Sequence, residues 1–166
     1  MAANASFDIT SPVDFQELDN ALNQARKEVA QRYDFKGATA EINLSTADKT
    51  LTLVADSEFK LNALWEIVQT RMVRRGVPIK NFKAPESEPA AGGAVRRVIP
   101  IQQGIPIEAA REIVKFIKEK KLKKVQAAIQ ADQVRVSSPS KDDLQAAMRA
   151  LREHDFGVAL QFGNYR

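Results

Sequence analysis

The sequence predicts an α+β protein in which one small β-α-β-β-α-β unit occurs twice. The first observation is a repeat: residues 50–65 and 133–148 share one layout at a constant offset of 83 positions. In both segments an alternating apolar and polar run precedes a serine, Ser57 in the first and Ser140 in the second, and a helical apolar pattern follows. The second observation is that strand-like and helix-like segments follow one another in the same order in the two halves. We therefore expect an internal duplication.

The first half begins with a short strand-like run and a long amphipathic segment. In residues 13–33 the apolar side chains recur at the spacing of one helix face, and Gly37 suits the backbone turn that closes this segment. Ser57 is the predicted N-cap of the next helix, which Gly76 ends. The predicted order is a strand at 6–9, a helix at 13–33, hairpin strands at 41–44 and 50–53, a helix from Ser57 to Gly76 and a strand at 77–83.

The second half repeats this order. Pro106 is expected at the first position of a helix, where its missing N–H and its fixed φ are tolerated. Each half therefore has the ferredoxin-like pattern. Between the halves, residues 84–94 are rich in proline, glycine and glutamate and are predicted to form a linker. The predicted elements of this half are a strand at 95–101, a helix from Pro106, strands at 123–130 and 133–138, a helix at 141–153 and a strand at 158–165.

Composition narrows the class of protein. The chain has no cysteine, which excludes disulfides and thiolate metal sites, and its 44% hydrophobic residues are enough for a buried core. A secretory signal and a membrane-spanning run are both missing, so we expect a cytoplasmic protein without membrane contact. His154 is the single histidine, and the common nucleotide, metal and nucleophile motifs do not occur. The sequence therefore favours a binding protein over an enzyme, with no cofactor and no metal.

Charge is distributed unevenly along the chain. Residues 1–94 hold 11 Lys/Arg and 13 Asp/Glu, whereas residues 95–166 hold 14 and 8. A basic second half suggests an anionic partner such as a nucleotide, a nucleic acid or phosphate. Six of its lysines lie between residues 115 and 124, which is more than helix-dipole compensation requires. A solvated surface explains the same excess, and charge alone favours this alternative over an anionic partner.

Two further features could support binding. On the second hairpin, Gln133, Arg135 and Ser137 should share the face of the sheet that points away from the helices. Such a polar row can bind base edges and phosphates, but it lacks the aromatic residues of the usual RNA-recognition sheet. An ordinary solvent-exposed face is an equal alternative. Gln103 and Gly104 precede a helix N-terminus, where free N–H groups can bind an anion, although a turn there needs no ligand.

Several segments together identify a family. They are Ser6-Phe7-Asp8-Ile9, Asp34-Phe35-Lys36-Gly37, Gln103-Gly104-Ile105, Lys121-Leu122-Lys123, Val125-Gln126-Ala127, Asp142-Asp143-Leu144-Gln145 and Gln161-Phe162-Gly163-Asn164-Tyr165-Arg166. In order and spacing these segments closely resemble the YajQ family of bacterial proteins over nearly the whole chain. The differences are local: Ala94-Val95-Arg96-Arg97 replaces a more aromatic stretch, and Tyr165 stands where phenylalanine is usual.

The resemblance implies a pair of ferredoxin-like domains that exchange their first strands. On that basis the N-terminal domain covers residues 11–102, including strand 95–101, and the C-terminal domain covers residues 1–10 and 103–166. It also implies nucleotide binding and, as for some members, a receptor function for cyclic di-GMP that acts through a transcription regulator. RNA binding by the basic C-terminal domain is the alternative. No catalytic activity is implied.

Candidate ligand residues follow from the motifs of this resemblance and from the chemistry of cyclic di-GMP, which carries two phosphates and two guanines. Such a ligand needs cations for phosphate and for guanine O6 and N7, a carboxylate for the guanine donors and a planar group for stacking. Phenylalanines are more often core residues, and an acidic residue can simply favour the first turn of its helix. The candidates are Lys36, Lys121, Lys123 and Arg135 for charge, Asp143 for the guanine donors, Phe35 and Phe162 for stacking, and the Gln103-Gly104 backbone for phosphate.

Overall fold

The computed structural model describes residues 4–122 and 124–166 of the chain. Its helices are α1 (Phe15–Gln31), α2 (Glu58–Arg74), α3 (Ile107–Glu119) and α4 (Lys141–Glu153). Its strands are β1 (Ala5–Thr10), β2 (Ala40–Ser45), β3 (Thr50–Ala55), β4 (Glu88–Pro89), β5 (Val95–Pro100), β6 (Gln126–Gln130), β7 (Gln133–Ser138) and β8 (Gln161–Gly163). Within the described residues, no helix has the length and apolarity needed to cross a membrane.

The chain divides into two compact units. The N-terminal unit is Val13–Ile101, and the C-terminal unit combines Met1–Pro12 with Gln102–Arg166. In the C-terminal unit the strand order is β6-β7-β1-β8, and in the N-terminal unit it is β2-β3-β5-β4. All pairs of neighbouring strands are antiparallel. β1 and β5 thus hold equivalent central positions, each in the sheet that the other half of the sequence completes. The predicted α+β class with two ferredoxin-like domains is confirmed.

Each unit buries one face of its sheet against two helices. In the C-terminal unit, Phe7 and Ile9 of β1 and Val134 and Val136 of β7 are fully buried in one cluster with side chains of α3 and α4. In the N-terminal unit, buried residues of β3 and β5 pack with α1 and α2 in a second cluster. Burying a large apolar side chain stabilises the fold by about 1.5–3 kcal/mol, so β1 is held chiefly by Phe7 and Ile9.

Serine caps start the two helices that the repeat predicts. Ser57 Oγ accepts a hydrogen bond from the N–H of Lys60, and Ser140 Oγ accepts one from the N–H of Asp143, each at 3.2 Å. Both caps satisfy one of the N–H groups that a helix N-terminus leaves unpaired. The helix α3 begins at Ile107, one residue later than predicted, so Pro106 is not its first residue. Pro106 is the extended N-cap residue of α3, with φ −67° and ψ 155°.

The prediction of a strand at residues 77–83 is wrong. Pro78 precedes a 3₁₀ turn, Ile79–Asn81, and only Phe82 forms a bridge, to Ile101. One edge of this sheet is instead formed by the two-residue strand β4, which lies within the predicted linker and in which Pro89 pairs with Val95 of β5. Proline is tolerated there because an edge strand leaves one side unpaired.

Two other strands are shorter than the predicted spans of 123–130 and 158–165. β6 begins only at Gln126, since Lys121 has φ 55° and the N–H of Val125 bonds back to the Leu122 carbonyl in a turn. β8 ends at Gly163 because Asn164 also takes a positive φ, of 53°. Both changes of direction are local backbone features that apolar periodicity does not report.

Candidate functional site

One face of the C-terminal sheet is polar and points away from the helices. Side chains alternate along a strand, so the burial of Phe7 and Ile9 on one side places Ser6, Asp8 and Thr10 on the other. The pairing register continues this face across the sheet, because Ser6 is opposite Ser137, Asp8 is opposite Arg135 and Gln130 is opposite Gln133. We call this surface the polar face; it comprises Ser6, Asp8, Thr10, Gln126, Gln130, Gln133, Arg135 and Ser137.

A three-residue cluster lies at the centre of the polar face. Arg135 Nε donates to Asp8 Oδ1 at 2.9 Å, and a second guanidinium nitrogen donates to Asp8 Oδ2 at 3.4 Å. Asn164 Nδ2 donates to the same Oδ2 at 2.6 Å. Asp8 is only 7% exposed, whereas the Arg135 side chain is 33% exposed. The cluster therefore presents a partly exposed arginine whose plane is fixed by a buried carboxylate.

The carboxylate of Asp8 is held in its ionised form. Hydrogen bonds from Arg135 and then from Asn164 lower the pKa of Asp8 below its ordinary value of 3.8, and they outweigh burial, which acts in the opposite direction. The positive charges of Arg135 and Arg166 lower this pKa further. Arg166 is thus close enough to act on the carboxylate. Its backbone also pairs with Ser6 in both directions, at 3.0 and 3.2 Å.

A cavity of about 350 Å³ opens beside the cluster. Its lining consists of Asp8, Thr10, Gln133, Gly163 and Asn164. The side chains in this lining offer carboxylate, amide and hydroxyl groups, and Gly163 leaves the backbone accessible because it carries no side chain. The cavity can thus hold a polar group that forms hydrogen bonds with these side chains.

Of the candidate ligand residues, Arg135 lies on the polar face but Phe162 does not. Phe162 pairs with Ile9 and contacts Phe7 at 5.7 Å between ring centroids, so it belongs to the helix side of the sheet. The guanidinium of Arg152 lies over the Phe162 ring, 5.1 Å from its centroid. A ligand on the polar face would not reach this ring.

The remaining candidates of the C-terminal unit are far apart. Gly104 precedes α3 and Lys121 follows it; because α3 has 13 residues, the two are separated by about 20 Å. The N–H of Gly104 donates to the Ser11 carbonyl at 2.9 Å, and the side chain of Asp132 lies against Gly104. An anion would have to displace that hydrogen bond and approach a carboxylate.

Gln103 is half-buried beside Gly104, and Lys121 is exposed. Asp143 lies in the first turn of α4, where its N–H is capped by Ser140. Lys123 lies outside the described residues. The candidates of this unit are therefore not brought together into one site.

Phe35 and Lys36 belong to the N-terminal unit. Phe35 is 4% exposed, and Lys60 Nζ lies 5.2 Å from the centroid of its ring. Lys36 is exposed and lines a second cavity, of about 360 Å³, together with Arg26. Phe35 is therefore a core residue that a cation covers, and Lys36 is free to contact a ligand.

Asp8 and Asn164 were missed by the reasoning from sequence. Asp8 is a single carboxylate between two buried residues, Phe7 and Ile9, and this placement is a signal of an internal partner. Identifying that partner as Arg135 requires the register of two strands that are 127 residues apart. Asn164 belongs to the C-terminal motif, residues 161–166, but its contact with Asp8 depends on the turn that ends β8.

Comparison with known proteins agrees with this fold. The family model described as "Nucleotide-binding protein YajQ-like" matches residues 5–166. A protein from Carboxydothermus hydrogenoformans is 46% identical over 166 residues, covering 100% of both chains. One from Geotalea uraniireducens is 49% identical over 162 residues, covering 97% of this chain and 98% of the relative. One from Chloroherpeton thalassium is 45% identical over 166 residues, covering 100% of both chains. Each relative is named "Nucleotide-binding protein". The chain therefore belongs to the YajQ-like family.

Proposed function

We propose that this chain binds a nucleotide on the polar face of its C-terminal unit, and that the nucleotide is cyclic di-GMP. The names of its relatives support nucleotide as the ligand class. The observation that carries the proposal is the cluster of Asp8, Arg135 and Asn164 beside a polar cavity. Of the candidate residues, the proposal uses Arg135 as the principal ligand contact.

Arg135 is suited to the Hoogsteen edge of guanine. A guanidinium group has five N–H donors, and the two bonds to Asp8 leave three of them for a ligand. Guanine presents O6 and N7 as two adjacent acceptors, the pair that arginine binds most often. Asp8 is a positioning residue in this proposal, because it fixes the guanidinium plane before the ligand arrives.

The opposite edge of guanine carries donors, and the cavity offers acceptors for them. The Asn164 amide uses one N–H on Asp8, which leaves its carbonyl oxygen for guanine N1–H or N2–H. Gln133 and Thr10 add an amide and a hydroxyl to the same lining. An adenine base lacks both O6 and the N1–H donor, so these groups favour guanine.

The phosphates of cyclic di-GMP would interact with the arginines of this region. Arg135 and Arg166 both act electrostatically at Asp8, so two positive charges meet one negative charge here. The cavity of about 350 Å³ is near the lower limit for small-molecule sites. It can therefore enclose one guanine, while the second half of the ligand lies along the polar face.

The proposal is one of binding without turnover. A general base works best with a pKa near the operating pH, whereas pairing with Arg135 lowers the pKa of Asp8. We further propose a cytoplasmic receptor that passes its state to a protein partner, for which the family resemblance indicates a transcription regulator.

Calorimetric titration of the full chain with cyclic di-GMP tests the proposal, and cyclic di-AMP is the ligand control. We expect micromolar binding of the guanine ligand only. Arg135→Met should weaken it by at least about tenfold, because a charge-assisted contact is lost. Arg149→Met, which changes an exposed arginine of α4, should have no effect.

Arg135→Met also leaves Asp8 without its cation, so a second variant is needed. Gln133→Glu leaves the Asp8 cluster intact and places a negative charge in the cavity, which should repel the ligand phosphates. If cyclic di-GMP does not bind, or if both variants bind it as the natural chain does, the proposed ligand or site is wrong.

RNA binding is the second candidate. Five exposed lysines support it: Lys115, Lys118, Lys120, Lys121 and Lys124. Among the described residues, no ion pair neutralises these lysines. RNA binding should weaken steeply between about 50 and 200 mM salt, because counterions are released from the RNA. Titration of a short single-stranded RNA at both salt concentrations distinguishes this reading from specific binding of cyclic di-GMP.

A further inference from the structure

The N-terminal unit contains a cavity that the proposed function does not use. It has a volume of about 360 Å³ and lies between α1 and the segment that leads from Tyr33 into β2. Arg26 and Lys36 are the charged residues of its lining, which contains no carboxylate. This one-sided charge distinguishes the cavity from the polar face, where Asp8 is paired with Arg135.

Arg26 is fixed in place but is not neutralised. Its Nε and one terminal nitrogen donate to the Ile42 carbonyl at 3.2 and 2.7 Å, and the other terminal nitrogen donates to Asn23 Oδ1 at 2.7 Å. All of these acceptors are uncharged, and no ion pair of Arg26 occurs among the described residues. Three of its five N–H groups are used, so two remain for an anion.

Lys36 and Gly37 provide further donors at the same cavity. Lys36 is exposed, and the nearby carboxylate of Asp34 is engaged by Arg32 through bonds of 3.0 and 2.8 Å. Gly37 has φ 76°, and its N–H has no partner among the hydrogen bonds of the described residues. The cavity thus combines two cations that have no ion-pair partner among the described residues with the backbone N–H of Gly37.

The rest of the lining is apolar. Val29 and Ala30 of α1, Phe35 and Ile42 contribute hydrocarbon surface, and Phe35 and Ile42 are themselves buried. An apolar wall beside fixed cations favours a ligand that has both an anionic group and a small apolar body.

We propose that this cavity binds a phosphate monoester that carries a small apolar body. The proposal rests on the cavity alone and holds whether or not the polar face binds cyclic di-GMP. A monoester phosphate has a second pKa of about 6 and is close to a dianion at pH 7, which matches the two cations. A carboxylate has only one charge and two oxygens, so it matches this donor set less well.

Arg26 makes the site preorganised. Its guanidinium is held by the Ile42 carbonyl and by Asn23, so little side-chain freedom remains to be lost on binding. The Lys36 side chain is exposed and would fold over the bound phosphate. The phosphate would thus lie between Arg26 and Lys36, and the apolar body would lie against Val29 and Ala30.

Phenyl phosphate is the probe, and amide NMR spectra of the ¹⁵N-labelled full chain are the readout. We expect the amide signals of Gly37 and Ala38 to shift when phenyl phosphate binds. Phenyl phosphate should bind at least about tenfold more tightly than inorganic phosphate, which has no apolar body, or benzoate, which has no phosphate group. The affinity for phenyl phosphate should also rise between about pH 5 and pH 7, as the ester gains its second charge.

Three variants complete the test. Lys36→Met should weaken binding by at least about tenfold, whereas Lys27→Met, at an exposed position of α1 outside the lining, should not. Ala30→Leu keeps both cations, suits the helix and fills the cavity, so it should also abolish binding.

The proposal is overturned if millimolar phenyl phosphate leaves the amides of Gly37 and Ala38 unshifted. It is also overturned if Lys36→Met binds as the natural chain does, or if inorganic phosphate binds as tightly as the ester. Arg135 belongs to the C-terminal unit, so Arg135→Met should bind phenyl phosphate as the natural chain does. If this variant folds but does not bind phenyl phosphate, the site is not confined to the N-terminal unit and the proposal is wrong.

Discussion

Asp8 and Arg135 lie directly opposite each other on β1 and β7, although 127 residues separate them in the chain. Their side chains form a two-point pair, with Nε–Oδ1 at 2.9 Å and a second contact at 3.4 Å. Phe7 and Ile9 hold β1 in the core from one side of the sheet, and this pair holds it from the other. The first strand of the chain is therefore fixed in the C-terminal sheet by both apolar and polar contacts.

Replacing Asp8 by asparagine should destabilise the chain by about 1–3 kcal/mol, because Arg135 and Asn164 lose a charged acceptor that is only 7% exposed. Urea unfolding measures the change. Asp34→Asn is the matched control, since Asp34 also forms a two-point pair, with Arg32, but on an exposed turn. An exposed pair is weakened by solvent, so Asp34→Asn should destabilise the chain less than Asp8→Asn, and equal losses would contradict a special role of the Asp8 pair.

Stability should depend on pH through Asp8. Its folded-state pKa is lower than the ordinary 3.8, so the unfolded chain binds a proton more readily. The stabilisation is therefore fully present above the ordinary pKa and is lost as pH falls through 3.8 toward the lower folded-state value. The difference in unfolding free energy between the natural chain and Asp8→Asn should be constant near neutrality and should shrink below pH 3.8. A difference that grows on acidification would contradict this sign.

Gly104→Ala should lower the unfolding free energy by more than the strain of its backbone angle alone explains. Gly104 has φ 87°, and a Cβ added there would meet Asp132 Cβ at 2.7 Å, a contact that cannot relax by side-chain rotation. Gly76 has a similar φ of 74° with nothing within 4 Å of an added Cβ. Gly76→Ala should therefore show only the backbone cost, roughly 1 kcal/mol, and Gly104→Ala clearly more. Equal losses in urea unfolding would mean that the Asp132 loop moves freely.

The sequence was sufficient to predict the fold class but not the cluster of Asp8, Arg135 and Asn164. The repeat that aligns Ser57 with Ser140 predicts two helix starts correctly, because a cap and its alternating strand are local features. Which strands pair is not local: nothing near Asp8 indicates that Arg135 is its neighbour. The strand predicted at 77–83 failed because Pro78 starts a turn within an otherwise apolar stretch.

Among the candidate residues, Arg135 and Phe162 illustrate the same limit. Alternation along β7 places Arg135 on the open face correctly, since its neighbours Val134 and Val136 are buried. The face of the sheet on which Phe162 lies could not be predicted in this way, because it depends on the pairing of Phe162 with Ile9 of β1. Sequence patterns therefore predict which residues of one strand share a face. They do not predict which residues become neighbours when strands from distant segments pair.

Arg97 provides a final prediction, in the N-terminal unit. It is 8% exposed on the helix side of β5, and one of its terminal nitrogens donates to Glu58 at 3.0 Å and to Asn62 at 3.2 Å. Its Nε has no hydrogen-bond partner among the described residues. A buried charge with incomplete hydrogen bonding is often replaceable by an apolar side chain of similar volume. Arg97→Met should therefore leave the unfolding free energy unchanged or raise it, by up to about 1 kcal/mol, because Glu58 is 52% exposed and can be solvated.

Arg97→Ala is the matched control for this prediction. It removes the same charge but leaves a cavity next to Leu53, which pairs with Arg97 across the strands, so it should destabilise by about 2 kcal/mol or more. Urea unfolding of both variants separates volume from charge. If Arg97→Met were as unstable as Arg97→Ala, the guanidinium itself would be needed, and its contacts with Glu58 and Asn62 would be a net stabilising pair despite the unpaired Nε.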